Sequence, residues 1–213
     1  MPKKDFYEFC DIIEKLRAPE GCPWDREQTH QSLKKHLIEE AYEAADAIEE
    51  GDYNAIADEL GDVLLQVVMH AQIGKEEGTF DINDVTDIVS RKMIERHPHV
   101  FGDVSVKNSD EVLDNWEEIK KAQRGQKTVY ESMESVTKSL PALLRTQKVI
   151  EKAVKGNLYN IGEEETTVNE EELGRKLFEL CALAVKSGID AEESLISFTK
   201  KFIKNFNKIE ENT

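Results

Sequence analysis

Two helical patterns on either side of Gly51 constrain the fold of this chain more than any other feature of its sequence. In both patterns apolar residues recur at spacings of four, three and four, which places them on one face of a helix. These apolar positions are Leu37, Ala41, Ala44 and Ile48 before Gly51, and Ile56, Leu60, Val63 and Val67 after it. Glycine commonly ends a helix, and the link between the two patterns is short. The sequence therefore predicts two antiparallel helices that pack as a hairpin.

Four acidic residues border these apolar faces. Glu40 and Glu43 lie on one flank of the first face. Glu59 and Asp62 lie on the same flank of the second face, nineteen residues later. The inner pair, Glu43 and Glu59, is eight residues from Gly51 on each side, and the outer pair is eleven residues from it. Since a helix rises about 1.5 Å per residue, each pair is level across the hairpin, and we expect the four carboxylates to converge on one patch.

Converging carboxylates repel one another unless a positive charge lies between them. Ligands that are all oxygen favour hard cations, which makes Mg²⁺ the first choice and Mn²⁺ the second. Mg²⁺ usually binds substrate phosphates as well, so the patch indicates phosphate chemistry. Any one acidic pair in a Glu-rich chain is more simply a solvated helix face, but two pairs placed symmetrically beside apolar faces favour a metal site. A di-iron bundle would need two Glu-x-x-His motifs, and the sequence has one, Glu27 to His30.

The rest of the sequence predicts an all-α protein. Helices are expected over Asp5–Arg17, Ser32–Glu50, from Asp52 to Gly74, from Asn83 to before Pro98, and over Ser109–Arg124, Leu140–Lys155, Glu170–Lys186 and Ala191–Glu211. The formal net charge of −16 argues against nucleic acid or a membrane surface as a partner. Three scattered cysteines, no apolar run of spanning length and no signal-peptide core indicate a cytoplasmic protein.

A weak internal repeat suggests two related halves. Glu59-Leu60-Gly61-Asp62 resembles Glu172-Leu173-Gly174-Arg175. In the second half Arg175 replaces the expected aspartate, and no room remains for a helix equivalent to Ser32–Glu50. We therefore predict a first domain at 1–125, a polar linker at 126–139 and a degenerate second repeat at 140–213.

The acidic motif resembles that of a known family. Glu39-Glu40-x-x-Glu43 followed by Glu59-x-x-Asp62 is similar to the metal motif of the all-α nucleoside triphosphate pyrophosphohydrolases, and within them to MazG. The supporting stretches, which spread over residues 17–124 in the family's order, are Gly21–Asp25 with Gln28-Thr29, Arg96–Phe101 and Trp116–Lys120. MazG proteins commonly carry two such domains in tandem, which would account for the repeat.

The resemblance implies hydrolysis of a nucleoside triphosphate to the monophosphate and pyrophosphate, a house-cleaning reaction of nucleotide pools. Four acids match the family's metal ligands, namely Glu40, Glu43, Glu59 and Asp62. Glu39 matches its additional acid, which implies a catalytic role in which it either binds a further ion or helps to activate water. Arg96 and Lys120 match basic positions associated with the triphosphate. Glu95 departs from the family, which often has a second basic residue there, so one phosphate contact is either missing or supplied by Arg91 or Lys92. The ligand count places the activity in the first domain.

Other interpretations stay open from the sequence. One is a narrower dUTP- or dCTP-directed pyrophosphatase, and another is a non-catalytic regulatory protein that binds nucleotide. Trp24 could stack on a base or simply pack in the core, and His70 is more simply a core histidine than a ligand. The second helix of the hairpin carries further apolar residues, Leu65 and Val68, off its main face. A helix that is apolar nearly all round is buried on several sides, so we expect a homodimer.

Overall fold

The computed structural model describes residues 3–162 and 168–210. This part of the chain consists of helices and the turns between them, as the sequence predicts. The helices are α1 (Phe6–Arg17), α2 (Pro23–Glu27), α3 (His30–Glu50), α4 (Tyr53–Glu77), α5 (Ile82–Arg96), α6 (Pro98–Phe101), α7 (Ser109–Gln123), α8 (Val129–Glu134), α9 (Ala142–Lys155), α10 (Glu170–Ser187) and α11 (Ala191–Glu210). None of the described helices is long and apolar enough to cross a membrane.

The helix boundaries follow the capping residues in the sequence. Asp5 forms a capping box at the start of α1. Its side chain accepts a hydrogen bond from the backbone N–H of Glu8, and the side chain of Glu8 accepts one from the backbone N–H of Asp5. Among the expected helices, α4 differs most from its predicted end. It continues past Gly74 to Glu77, and Gly78 ends it with a left-handed φ of 69°. Gly74 instead allows close packing, since a Cβ there would come within 2.7 Å of the Phe80 carbonyl oxygen. Among the described helices, only the short ones, α2, α6 and α8, are not predicted from the sequence.

The chain divides into two compact units, Met1–Asp103 and Val104–Thr213. This division places α7 in the second unit, whereas the sequence assigned residues up to 125 to the first domain. Within the segment 126–139, which the sequence predicts as a polar linker, α8 forms and Met133 is fully buried. Thr128 caps α8, and Met133 packs with Val149 of α9 and Ile203 of α11, so a polar segment with few apolar residues still contributes to a core. The domain boundaries drawn from the repeat stay a prediction.

The hairpin of α3 and α4 is the central element of the first unit. Gly51 connects the two helices with a φ of 73°, a left-handed conformation that glycine adopts without steric cost. The Asp52 side chain then caps α4 by accepting hydrogen bonds from the backbone N–H groups of Asn54 and Ala55. The two helices contact each other extensively, more than any other pair of elements in the described chain. The short turn therefore produces the antiparallel packing that the sequence predicts.

The core of the first unit holds this hairpin against α1. Ile13 of α1, Leu33 of α3 and Met69 of α4 are all buried within one cluster. Beside them lies Arg17, whose guanidinium donates to both carboxylate oxygens of Glu76 and to the backbone carbonyls of Asp25 and Gln28. A buried guanidinium needs this full set of acceptors, so Arg17 fixes α1, α2 and the end of α4 relative to one another.

Two histidines connect α3 and α4 at the end of the hairpin opposite Gly51. Nδ1 of His30, the first residue of α3, is 2.7 Å from Nδ1 of His70 on α4. The two rings are nearly parallel, and His30 also stacks on Phe80. One ring must donate and the other accept, so the contact requires at least one of the two histidines to be neutral. The sequence interpretation of His70 as a packing residue agrees with this arrangement.

We expect the free energy of unfolding to fall as the pH is lowered through about 6.5. Burial and the neighbouring His30 lower the pKa of His70 below its ordinary value of 6.5, so the unfolded chain takes up the proton first. The stabilisation is present above the unfolded pKa and is lost on acidification. Replacing His70 by glutamine should flatten this dependence between about pH 8 and pH 5, measured by urea unfolding. Equal pH dependence in the wild type and the variant would contradict the assignment.

Candidate metal and substrate site

The α3–α4 hairpin brings acidic side chains together. Carboxylate oxygens of Glu40 and Glu43 on α3 and of Glu59 on α4 all lie within 4.8 Å of one another. No second group of this kind, with three or more possible ligands, occurs in the described part of the chain. Glu40 and Glu59 are half-buried, while Glu43 is exposed, so the cluster opens to solvent on one side. The count from Gly51 therefore predicted the convergence of three of the four acids.

The fourth acid, Asp62, acts on this cluster through its charge. Burial, followed by the charges of Asp62 and Glu43, raises the pKa of Glu40 above its usual range. Burial, followed by the charges of Glu43 and Asp62, raises the pKa of Glu59 in the same way. A raised carboxyl pKa means that the folded protein resists full ionisation of the cluster. Four such oxygen donors fit a hard divalent cation, which would remove the mutual repulsion.

The other acid of the motif, Glu39, lies beside the cluster without joining it. Its Oε2 is 3.6 Å from Nδ1 of His36 one turn earlier on α3, and its side chain is about half exposed. Glu39 is therefore not one of the three residues that converge in this structure. Its role stays a prediction.

The residues expected to bind substrate lie in different elements. Arg96 is the last residue of α5 and is half-buried. Trp24 lies in the short helix α2, and 57% of it is exposed, so its ring is accessible and not part of the core. Lys120 belongs to α7 in the second unit, where its Nζ lies 4.5 Å from the centre of the Trp116 ring and 3.3 Å from a Glu117 oxygen.

The residues that the sequence predicts to match Glu59 and Asp62 in a second repeat form ion pairs. Glu172, the predicted match of Glu59, lies 2.8 Å from Lys176 on the same helix. Arg175, at the position predicted to match Asp62, lies 2.7 Å from Glu179. Glu172 and Glu179 belong to no cluster of possible ligands among the described residues. The described residues after 139 thus contain no equivalent of the acidic cluster.

One polar residue near the site escaped the sequence analysis. Gln66 lies on α4 one turn beyond Asp62, is 6% exposed, and its Oε1 has no hydrogen-bond donor. A buried acceptor without a partner costs about 1–3 kcal/mol, so such groups are rare in cores. The signal was present in the sequence, because Gln66 interrupts the otherwise apolar run from Val63 to Met69.

The fold and the site together define an all-helical protein with a cluster of carboxylates on an antiparallel hairpin. Residues 28–101, which contain the hairpin, match the MazG nucleotide pyrophosphohydrolase domain. The chain is also 39% identical to a nucleoside triphosphate pyrophosphohydrolase of Escherichia coli, over 93% of this chain and 84% of that protein. It is 41% identical to the nucleoside triphosphate pyrophosphohydrolase/pyrophosphatase MazG of Thermotoga maritima, over 97% of this chain and 86% of that protein.

A further relative is the protein YabN of Bacillus subtilis, which is 54% identical over 68% of this chain. The match spans only 29% of the length of YabN. The identity to the two pyrophosphohydrolases extends over nearly the whole chain. The chain belongs to the MazG family.

Replacing Glu40 by glutamine should raise the melting temperature of the metal-free protein near neutral pH. The raised pKa of Glu40 means that its ionised form costs stability once the pH exceeds that pKa, and an amide does not ionise. Adding Mg²⁺ or Mn²⁺ should raise the melting temperature of the wild type and raise that of the variant much less. Thermal unfolding with and without a chelator measures both effects.

Glu49→Gln provides the matched control, because Glu49 is an exposed acid of α3 outside the cluster. It should respond to the metal as the wild type does. A Glu40→Gln protein with an undiminished metal response would show that the cluster does not bind the ion.

Proposed function

We propose that this chain hydrolyses nucleoside triphosphates to nucleoside monophosphate and pyrophosphate with the aid of a divalent cation, Mg²⁺ first and Mn²⁺ second. The observation that carries the proposal is the group of three carboxylates within 4.8 Å, located inside the segment that matches the MazG domain. The two relatives named nucleoside triphosphate pyrophosphohydrolase support the same reaction. Because the reaction acts on nucleotide pools, we place the protein in the cytoplasm.

The four carboxylates Glu40, Glu43, Glu59 and Asp62 are the proposed metal ligands. Acids alone would repel a polyanion, so a metal ion supplies the positive charge that neutralises the phosphate oxygens. Binding the ion requires Glu40 and Glu59 to be fully ionised, and the protein therefore releases any proton that their raised pKa values retain. The role of these four side chains is to orient the triphosphate for attack.

Glu39 is the proposed proton acceptor for the attacking water. It follows Ile38 on the exposed flank of α3, next to Glu40 in the chain, and its carboxylate is about half exposed. Water attacks one of the two phosphorus atoms joined by the α–β bridging oxygen, and Glu39 takes a proton from this water. The bond between that phosphorus and the bridging oxygen breaks, and the bridging oxygen leaves with the other fragment, either pyrophosphate or the nucleotide. The products are the monophosphate and pyrophosphate, and the proton then returns to solvent.

A basic and an aromatic residue of the first unit complete the proposed substrate site. Arg96 neutralises charge that develops on the triphosphate in the transition state. The triphosphate contact that the family resemblance implies for Lys120 stays a prediction from the sequence. Trp24 is available to stack on the base, since more than half of it is exposed. Glu95 precedes Arg96, so one phosphate contact is either absent or supplied by Arg91 or Lys92 on α5.

We place the activity in the first of the two sequence domains, at 1–125, with 126–139 as the connection and 140–213 as a degenerate repeat of structural or regulatory role. Glu172 and Arg175 both form ion pairs on their own helix, which supports this assignment. The same substitution at Glu59 and at Glu172, the predicted matching positions of the two repeats, tests which repeat carries the activity.

Glu59→Gln should lower kcat for pyrophosphate release by about a hundredfold or more, because it removes a charged ligand from the metal site. Glu172→Gln, the same substitution at the matching position of the second repeat, should retain wild-type activity. The measurement is a panel of nucleoside triphosphates with Mg²⁺ or Mn²⁺, with separation of the nucleotide and phosphate products.

The products also decide between the alternatives. Diphosphate and inorganic phosphate would mean that a different bond is broken, and nucleotide binding without turnover would favour a regulatory protein. Turnover confined to dUTP or dCTP would favour a narrower pyrophosphatase. Loss of activity in Glu172→Gln but not in Glu59→Gln would move the site to the second repeat.

A homodimer is the proposed assembly. Near the bend of the hairpin the apolar faces stay accessible, with Ile48 and Leu60 exposed by 58% and 50%. Tyr42 and Leu64 add further exposed apolar surface to the same two helices. A patch of this kind on a helical hairpin fits a second copy of the chain. Sedimentation should give a mass of about twice 24.3 kDa, and Leu60→Glu should lower it toward that of a single chain. A wild-type mass near 24.3 kDa would refute the dimer.

A further inference from the structure

A cavity of about 580 Å³ in the second unit is lined by lysines from three segments of the chain. Lys121 comes from the last turn of α7, Lys127 from the connection between α7 and α8, and Lys152 and Lys155 from the last turn of α9. Lys127 and Lys155 are exposed, so the cavity is open to solvent. The tertiary structure thus gathers positive charges that are separated in the sequence.

The charge of this cavity is opposite to that of the whole chain. Its lining contains four lysines and two acids, Glu117 and Glu118, whereas the chain has a formal net charge of −16. A neighbouring cavity of about 500 Å³ shares Lys152 and Lys155 and has a larger excess, five bases to two acids. The C termini of α7 and α9 each add about half a negative charge, which leaves the first cavity positive.

Lys152 has an environment that an ordinary helix end does not explain. Lysines near a helix C terminus usually extend into water, whereas the side chain of Lys152 is only 20% exposed. Its Nζ donates to Oγ of Ser132 at 3.0 Å and lies 3.6 Å from Oε2 of Glu117. Burial, together with the charges of Lys120 and Lys121, lowers the pKa of Lys152, although Glu117 opposes this shift. A bound anion would provide the negative charge that the protonated lysine still lacks.

The donors of the cavity determine which anion fits. Lysine binds phosphate oxygens as a point charge, and the described lining contains no arginine, whose planar fork matches a carboxylate. The hydroxyl of Ser132 accepts from Lys152 and keeps its own proton to donate. The cavity is also larger than one orthophosphate ion needs. We propose that it binds a pyrophosphoryl group, either as free pyrophosphate or as part of a nucleotide.

This inference does not rest on the proposed function. The lysines belong to the second unit, whereas the carboxylate cluster belongs to the first. The described lining contains no group of acids that could hold a cation, so a pyrophosphoryl ligand would be bound there and not hydrolysed. The second unit would then have a ligand of its own.

The test measures binding to the full chain after chelating resin has removed divalent cations, because the ionised carboxylates of the hairpin then repel an anion. Calorimetry at low salt compares pyrophosphate, ADP, orthophosphate and citrate. Pyrophosphate or ADP should bind at least about tenfold more tightly than orthophosphate and citrate. Citrate that binds as tightly as both of them, or no binding of either, would overturn the proposal.

The same titrations distinguish the two sources of the group. Equal affinities for pyrophosphate and ADP would show that the pyrophosphoryl group alone is recognised. Tighter binding of ADP would identify a nucleotide as the ligand, and tighter binding of pyrophosphate would identify the free ion. Each of these three results supports the proposal.

Substitution of the lysines tests the location of the site. Lys152→Gln should weaken binding of the preferred ligand by about tenfold or more, because it removes a charge-assisted contact. The double variant Lys127→Gln/Lys155→Gln should weaken it to a similar extent, and it remains informative if Lys152→Gln does not fold, since both residues are exposed. Lys138→Gln is the matched control, an exposed lysine of the same unit outside this lining. Wild-type affinity in either cavity variant, or an equal loss in Lys138→Gln, would overturn the proposal.

Arg96→Gln separates this site from the proposed substrate site of the first unit. It should lower turnover with Mg²⁺ and leave binding to the metal-free protein unchanged. If binding is lost in Arg96→Gln and kept in the lysine variants, the anion binds to the first unit and the inference is wrong. If no triphosphate is hydrolysed but binding depends on Lys152, the proposed function is wrong and this inference stands.

Discussion

The packing of α3 against α4 is the interaction on which the rest of the first unit depends. The two helices pack antiparallel, and the core cluster with Ile13 of α1, Leu33 of α3 and Met69 of α4 joins the hairpin to α1. In the same hairpin three carboxylates lie within 4.8 Å of one another, an arrangement that their charges oppose. Hydrophobic burial at one end of the hairpin thus offsets an electrostatic cost at the other.

Core residues and the acidic residues of the site occupy different halves of α4. Its second half packs into the core through Val68, Met69 and Ile73, and its first half carries Glu59 and Asp62 with exposed apolar neighbours. Glu59, whose pKa is raised, belongs to this first half, and Glu40, whose pKa is also raised, lies near it on α3. The stability of the unit and the chemistry of its site therefore rest on different segments of the same helix.

The sequence predicted the features that follow from helical geometry. Predicting that Glu43 and Glu59 lie level across the hairpin needed only the helical rise per residue and the position of the glycine at the bend, and both are local properties. The buried helix α8 could not be predicted from its polar composition, since Met133 becomes a core residue only through contacts with α9 and α11. The contact between His30 and His70 likewise joins residues 40 positions apart. Gln66 was visible as an interruption of an apolar run, but its unpaired oxygen required the packed structure.

The left-handed turn at Gly51 has a consequence for how this chain can vary. Connections between helices ordinarily accept changes of length with little effect, because few contacts depend on them. Here the level positions of the acidic pairs depend on equal numbers of residues on the two sides of Gly51. One helical residue added between the turn and Glu59 would move Glu59 and Asp62 by about 1.5 Å along α4 and by about 100° around it. The hydrophobic faces could repack around such a change more readily than the carboxylates could realign. The length of the segment from the turn to Glu59 is therefore constrained, although this segment contains none of the four acids.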